Sequence, residues 1–320
     1  MKTVLVTGGA GFIGSHLCEH LLRTGWRVVA VDNLDDFYDV KLKRANLEAI
    51  KHAGEYEFHP IDIRDSSRLE EVFHKARPEA VVHLAARAGV RPSLLYPELY
   101  ASVNVGGTVR VLEISRKYQV QKFVFASSSS VYGRFNRVPF SEDDPISKPL
   151  SVYAATKAAG EMLVFTYSYL YQLPAICLRI FTVFGPRQRP DLAIRKFAQL
   201  IQEGRELPVF GDGSMSRDYT YVSDAVAAIG QALACSYPFE IFNLGNSRPI
   251  RLDYMIETLE HALGKKAVRR VLPTPPEDMP ATLASLDKSR KLLGYNPKVS
   301  FEEGMRLFVE WFNGQGKGQF

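Results

Sequence analysis

The chain has 320 residues, of which 46% are hydrophobic and 23% charged, and it carries a formal net charge of +5. That composition is the profile of an ordinary globular protein, and the length accommodates one large α/β unit with a smaller lobe. Basic residues alternate with acidic ones and form no stripe, which argues against nucleic acid and leaves a small anionic ligand as the expected partner.

Lys2 to Thr7 is a short apolar and β-branched run followed by glycines, Phe12 to Thr24 has helical periodicity, and Arg27 to Asp32 is a second apolar run. The segment therefore reads β-α-β. The alternation continues with a strand at Tyr56 to His59, a helix at Ser67 to Ala76, a strand at Ala80 to Leu84, a helix at Glu98 to Tyr118 and a strand at Lys122 to Ser127. A long helix over Val152 to Tyr171 leads to a strand at Ala175 to Arg179. Apolar strands separated by helices predict a Rossmann-type, doubly wound parallel sheet in the α/β class. Beyond Arg179 prolines become frequent, which predicts a smaller, loop-rich C-terminal α+β lobe. Tyr219 to Val222 and Ile241 to Leu244 still read as strands that return to the main sheet. The expected domains are residues 1–179, with returns near 219–245, and a second lobe of residues 180–218 and 246–320. Gly314 to Phe320 are expected to fray. No apolar stretch approaches the roughly 18 residues of a membrane span. Cys18, Cys177 and Cys235 are widely spaced, with neither a disulfide framework nor a metal site suggested, and a cytoplasmic setting fits best.

Thr7-Gly8-Gly9-Ala10-Gly11-Phe12-Ile13-Gly14 lies between the first strand and the first helix. Gly8, Gly11 and Gly14 permit a tight turn and close approach of a pyrophosphate, which the helix start at Phe12 and Ile13 faces. Asp32 closes the second strand about 20 residues on, where a carboxylate accepts from adenosine ribose hydroxyls. The pattern predicts a bound dinucleotide. Asp32 repels a ribose 2′-phosphate and Asn33 supplies no compensating positive charge, so NAD is expected over NADP. Asp62 and Ile63 after the third strand, and Leu84, Ala85 and Ala86 after the fourth, fall on the same crevice. His16-Leu17-Cys18-Glu19-His20 has the H-x-x-E-H spacing of a zinc hydrolase. Because this helix must pack on the sheet and face the pyrophosphate, no metal is expected there.

Tyr153 and Lys157 form Y-x-x-x-K within a helix, one turn apart on one face. A cationic Lys157 beside the phenol is expected to lower its pKa and make it a general base for a sugar hydroxyl. Ser128 lies just past a strand end, where its hydroxyl completes the hydrogen bonding of the reacting oxygen.

The segments T-G-G-A-G-F-I-G at 7–14, V-D-N-L at 31–34, H-L-A-A at 83–86, S-S-S-S-V-Y-G at 127–133, Y-A-A-T-K at 153–157 and R-D-Y-T-Y-V at 217–222 resemble the extended short-chain dehydrogenase/reductases of the nucleotide-sugar epimerase and dehydratase group. The resemblance spans nearly the whole chain. It implies a catalytic triad of Ser128, Tyr153 and Lys157, with Tyr153, Lys157 and Phe181 also at the nicotinamide of a tightly held, recycled NAD. Sugar dehydratases and uronate decarboxylases of the group carry an acid at the positions of Ser129 or Ser130. This chain has only hydroxyls there, which implies C4 epimerisation of a UDP-sugar through a transient 4-keto intermediate.

D-N-L-D-D-F-Y-D-V at 32–40, A-G-V-R at 88–91 and F-T-V-F-G-P-R-Q-R-P-D at 181–191 resemble UDP-glucuronate 4-epimerases more than UDP-glucose 4-epimerases. Thr182 and Pro275 differ from the asparagine and arginine usual in the latter. A hydroxyl set from Ser128, Ser129, Ser130 and Thr182 suits a C6 carboxylate, with UDP-glucuronate converted to UDP-galacturonate. The resemblance further implies Arg217 at the UDP phosphates, Val209 and Phe210 at the uracil and Asp278 at the uridine ribose. Arg91, Arg187 and Arg189 are candidates for phosphate or carboxylate. UDP-glucose or a UDP-N-acetylhexosamine is the alternative substrate, and a non-catalytic NAD-binding sensor is the alternative of another class. A homodimer pairing the helices at Glu98 to Tyr118 and Val152 to Tyr171 is also implied.

Overall fold

The computed structural model describes residues 1–51, 53–274 and 279–315. β1 (Thr3–Thr7), α1 (Phe12–Arg23) and β2 (Arg27–Val31) form the opening β-α-β unit. α2 (Val40–Ile50), β3 (Tyr56–His59), α3 (Ser66–Ala76) and β4 (Ala80–His83) follow. Next come α4 (Val90–Leu95), α5 (Pro97–Tyr100), a π-helical segment (Ala101–Gly107) and α6 (Thr108–Lys117). β5 (Lys122–Ser128) ends in a 3₁₀ turn (Ser129–Tyr132) before α7 (Val152–Tyr171) and β6 (Ala175–Ile180). The remainder comprises β7 (Thr182–Phe184), α8 (Ala193–Gln202), β8 (Glu206–Phe210), β9 (Ser216–Tyr221) and α9 (Val222–Ala234). It ends with β10 (Phe239–Leu244), β11 (Pro249–Arg251), α10 (Leu252–Leu263), β12 (Val268–Leu272) and α11 (Phe301–Gln315).

Seven strands form one parallel sheet in the order β10-β6-β5-β4-β1-β2-β3. Both faces are covered, and the strand alternation divides the core accordingly. Val4, Val6, Val28, Ala30, Val82, Val124, Ile176 and Leu178 belong to one apolar cluster with residues of α1 and α9. Leu5, Val29, Val31, Val81, Phe123, Phe125 and Cys177 belong to the other, with residues of α3, α6 and α7. The continuous apolar runs of the sequence are thus strands buried on both faces.

From β1 the chain builds outward through β2 and β3, then returns to β4 and builds the other way. The carboxyl ends of β1 and β4 therefore part, and their connections leave a crevice between them. Close packing sets the depth of one wall. A Cβ on Gly160 of α7 would lie 2.4 Å from the Phe125 ring, so glycine lets that helix settle against β5.

The structure departs from expectation in four places. α2 has no counterpart in the predicted elements; it buries Lys43, Asn46, Leu47 and Ile50 at helical spacing despite its polar composition. The helix expected over Glu98 to Tyr118 is interrupted by the π-helical segment, where Asn104 turns its side chain to the Arg87 backbone and Gly107 clears Ile63. Ile241 to Leu244 does rejoin the main sheet in β10, whereas Tyr219 to Val222 does not: β9 pairs with β7 and β11 in a separate three-stranded sheet. The C-terminal region also holds α8, α9, α10 and α11 and is richer in helix than its prolines suggest. Gly314 lies within α11, and residues 316–320 are outside the described residues. Among the described residues no helix is long and apolar enough to cross a membrane.

Candidate active site

A cavity of about 520 Å³ opens along the carboxyl ends of the strands. Gly8, Gly11, Phe12, Ile13, Gly14, Asp32, Asn33, Asp62, Ile63, Leu84, Ala85 and Ala86 line one end of it. Ser128, Ser129, Ser130, Tyr153, Lys157, Phe181, Thr182 and Arg217 line the rest.

The turn after β1 is shaped by backbone contacts. Gly8 has φ +75°, and a Cβ there would meet the Ala85 amide nitrogen at 2.9 Å. A Cβ on Gly14 would lie 2.0 Å from the Gly8 carbonyl oxygen, so helix and turn close on each other without room for a methyl group. Gly11, the N-cap of α1, makes no side-chain capping bond, which leaves the first amides of the helix directed at the crevice. Asp32 is 8% exposed and accepts from the amides of Ala10 (3.2 Å) and Leu34 (2.8 Å). Asn33 Nδ2 donates to Asp62 Oδ2 at 3.0 Å, and Arg64 grips the same carboxylate and holds it below its ordinary range. Amides for phosphate beside a carboxylate for ribose fit a dinucleotide.

Three strand spacings from β2, about 14 Å, β5 ends at Ser128. Its Oγ accepts from the Ser130 amide at 3.2 Å and from Ser130 Oγ at 3.0 Å. The Ser128 hydroxyl faces the Tyr153 phenol closely enough to act on its pKa. Lys157, one turn along α7, is 4% exposed; its Nζ donates to the Ala126 carbonyl at 2.7 Å and stands 5.9 Å from the Tyr153 ring centre. Burial lowers the Lys157 pKa to about 8, against an opposing pull from Glu161. Tyr153 differs from expectation: burial raises its pKa, against opposing pulls from the Ser128 hydroxyl and from the charge of Arg189. Lys157 directs its ammonium to a backbone carbonyl.

Behind this wall lies a buried ion pair. Arg179 on β6 and Glu161 on α7 are each 3% exposed and joined by bonds of 2.9 to 3.3 Å. Ser127 donates to Glu161, so the last residues of β5 are tied to α7.

The arginines are placed differently from one another. Arg217 reaches the cavity with Nη1 bonded to the carbonyls of Ser216 (2.9 Å) and Met279 (2.7 Å). Arg187, at φ +62°, turns away to Glu19 on α1 (3.0 Å) and does not line the cavity. Arg189, two residues on, lines it, bonded to Asp191 at 2.9 and 2.8 Å. Arg91 lies 4.7 Å over the Phe210 ring; neither they nor the buried Val209 line the cavity. Asp278, Pro275 and their two intervening neighbours lie outside the described residues. The H-x-x-E-H histidines are used in packing: His16 Nε2 bonds the Pro186 carbonyl at 2.9 Å, Glu19 pairs with Arg187, and a Cβ on Gly230 of α9 would touch His20.

Sequence reasoning missed a cation beside Asp32. Lys43 of α2 is 6% exposed with Nζ 3.8 Å from Asp32 Oδ1, so the charge expected to be lacking at Asn33 comes from an element the periodicity did not reveal. The run of aspartates at Asp35, Asp36 and Asp39 before Lys41 and Lys43 was the available signal. Asp35 and Arg87, which form an ion pair, line the cavity too.

The GDP-mannose 4,6 dehydratase family profile matches residues 5–308. UDP-glucuronate 4-epimerase of Thermodesulfobacterium geofontis is 43% identical over 312 residues, covering 97% of this chain and 96% of that protein. The crystal structure of UDP-glucuronic acid 4-epimerase from Bacillus cereus, in complex with UDP-glucuronic acid and NAD, superposes with a TM-score of 0.92 at 34% identity, covering 98% of this chain and 99% of that one. UDP-glucose 4-epimerase from Thermotoga maritima, solved with UDP-glucose, gives a TM-score of 0.90 at 35% identity, with coverage of 98% and 99%.

The turn geometry ranks two substitutions. A Cβ at Gly11 would lie 3.2 Å from the Gly8 oxygen, against 2.0 Å at Gly14. Gly14→Ala is expected to destabilise by about 1–3 kcal/mol or more and Gly11→Ala by less, as read by urea unfolding; equal losses would refute the close-packing account.

Proposed function

The chain belongs to the GDP-mannose 4,6 dehydratase family of extended short-chain dehydrogenase/reductases, and from that membership we propose that it is an NAD-dependent UDP-sugar 4-epimerase acting on UDP-glucuronate. The reading is carried by the gathering of Ser128, Tyr153 and Lys157 with Ser129, Ser130 and Thr182 in one cavity. Among the described lining residues the carboxylates are Asp32, Asp35 and Asp62. Asp32 and Asp62 follow β2 and β3, far from Ser128, and Asp35 is taken up by Arg87.

Residues 1–179 and β10 are assigned to the dinucleotide, and the lobe of residues 180–218 and 246–320 to the nucleotide sugar. Bound NAD supplies the acceptor and donor of hydride at sugar C4. Tyr153, as phenolate, removes the O4 proton and returns it after the 4-keto sugar has turned over. Lys157, one turn along α7, carries its ammonium beside the Tyr153 ring, while Ser128 hydrogen-bonds the same oxygen and favours the anionic phenol. Arg189 acts in the same direction through its charge. Ser129, Ser130 and Thr182 hold the C6 carboxylate through charge-assisted hydrogen bonds. Fixing that group out of line with the carbonyl suppresses loss of carbon dioxide from the β-keto acid. An elimination would need a carboxylic acid at this end, and hydroxyls stand there instead.

A homodimer through α7 fits the exposed apolar face of Met162, Phe165 and Tyr169, which recur at helical spacing. A single species of about twice the 35.9 kDa chain mass in sedimentation velocity is the expected result; a monomer at micromolar concentration would remove this part of the proposal.

Purified protein without added cofactor should interconvert UDP-glucuronate and UDP-galacturonate, with Tyr153→Phe silent though still NAD-bound. Conversion of UDP-glucose alone would overturn the uronate assignment, and a UDP-pentose product would overturn epimerisation itself.

The active form of Tyr153 is deprotonated, and the charge of Arg189 opposes the rise in its pKa that burial causes. Arg189→Gln is therefore expected to move the acidic limb of the pH–rate profile to higher pH. An unshifted limb would separate Arg189 from the phenol.

A further inference from the structure

We propose that Lys43 is a second determinant of dinucleotide choice: its ammonium is a resident partner for a phosphate on the adenosine ribose, kept engaged by the Asp32 carboxylate. The inference rests on assigning this end of the cavity to NAD.

Four observations support it. Lys43 lines the cavity together with Asp32, Asn33 and Tyr38, so its charge faces the ligand space. Its Nζ stands 3.8 Å from Asp32 Oδ1 and 5.0 Å from the centre of the Tyr38 ring, which fixes the side chain from two sides. The side chains of Lys43 and Asp32 are each 8% exposed, so water does little to weaken either charge. The helix carrying Lys43 is anchored on the cofactor turn, because Asn46, three residues on, donates from Nδ2 to the Ala10 carbonyl at 3.0 Å while Ala10 donates its amide to Asp32.

In the wild type a ribose hydroxyl bonded to Asp32 lies beside an ammonium whose charge is already neutralised. A 2′-phosphate there meets the carboxylate first and is disfavoured. Removing the carboxylate reverses this. The buried ammonium then lacks a counterion, and the phosphate supplies one. NADP acceptance would therefore need no added arginine or lysine, only the loss of Asp32. The other nearby carboxylate, Asp35, is occupied by Arg87 and does not take over that role.

The test uses full-length protein stripped of dinucleotide by charcoal and titrated with NADH and NADPH, following nucleotide fluorescence. Wild type should prefer NADH. Asp32→Ser should bind NADPH about 10- to 100-fold more tightly than wild type does, the range commanded by a charge-assisted hydrogen bond. Asp32→Ser combined with Lys43→Met should lose that gain. Asp32→Asn, with nearly unchanged volume, carries the same comparison if the serine variant is not folded by circular dichroism. No NADPH gain in the folded Asp32 variant, or a gain that survives Lys43→Met, overturns the proposal. Wild type that binds neither dinucleotide overturns the cofactor assignment beneath it as well.

Discussion

The divergence of β1 and β4 is the constraint on which the site depends. The two strands are neighbours in the sheet, yet the chain leaves them toward opposite edges, so no connection crosses the gap between their carboxyl ends. A short polar chain holds the gap in shape. Thr7 Oγ1 bonds His83 Nδ1 at 2.7 Å and accepts the Ala85 amide at 3.2 Å, while His83 Nε2 meets Thr108 Oγ1 at 2.9 Å. Burial holds the His83 pKa down at about 3, so the ring is a neutral connector. Thr108 in turn bonds the Asn104 carbonyl at 2.5 Å, and the Asn104 side chain reaches Arg87 and Thr156. The glycine turn, the π-helical segment and α7 are thereby referred to one another.

The opposite wall uses charge in place of close backbone contact. Glu161 lies one helical turn beyond Lys157, as Lys157 lies one turn beyond Tyr153, so all three share a face of α7. A buried carboxylate without a partner would cost several kcal/mol, and Arg179 meets it with two nitrogens. Because Ser127 is bonded to the same carboxylate, its neighbour Ser128 ends a strand that is tied to α7. Ser128, Tyr153 and Lys157 are thus backed by Glu161 and Arg179, which do not line the cavity.

The cavity separates its charges along its length. Asp32 and Asp62 stand at the end lined by the glycine turn, and Arg217 and Arg189 belong to the part of the chain that follows β6. Hydroxyl groups from Ser128, Ser129, Ser130 and Thr182 line the part that Tyr153 also lines. The serine run thus presents neutral hydrogen-bonding groups, with no carboxyl group among them.

The parallel sheet, the turn at Thr7 to Gly14, Asp32, and the order of Ser128, Tyr153 and Lys157 were legible in the sequence, because each depends on local period or spacing. Fully buried strands appear as apolar runs, and Y-x-x-x-K on a helix faces one way wherever that helix lies. Other features were decided only by tertiary contact. α2 is weakly apolar by composition and earns its place by docking Lys43 and Asn46 on the cofactor turn. Of two arginines separated by one residue, Arg189 enters the cavity and Arg187 turns to Glu19 because the backbone takes a positive φ at Arg187. β9 has strand-forming sequence, but which sheet receives it depends on β7 and β11. The direction of the Tyr153 shift likewise follows from desolvation, which outweighs the opposing charge of Arg189. Sequence spacing determines which groups share a face; burial and long-range charge exist only once the chain has closed around them.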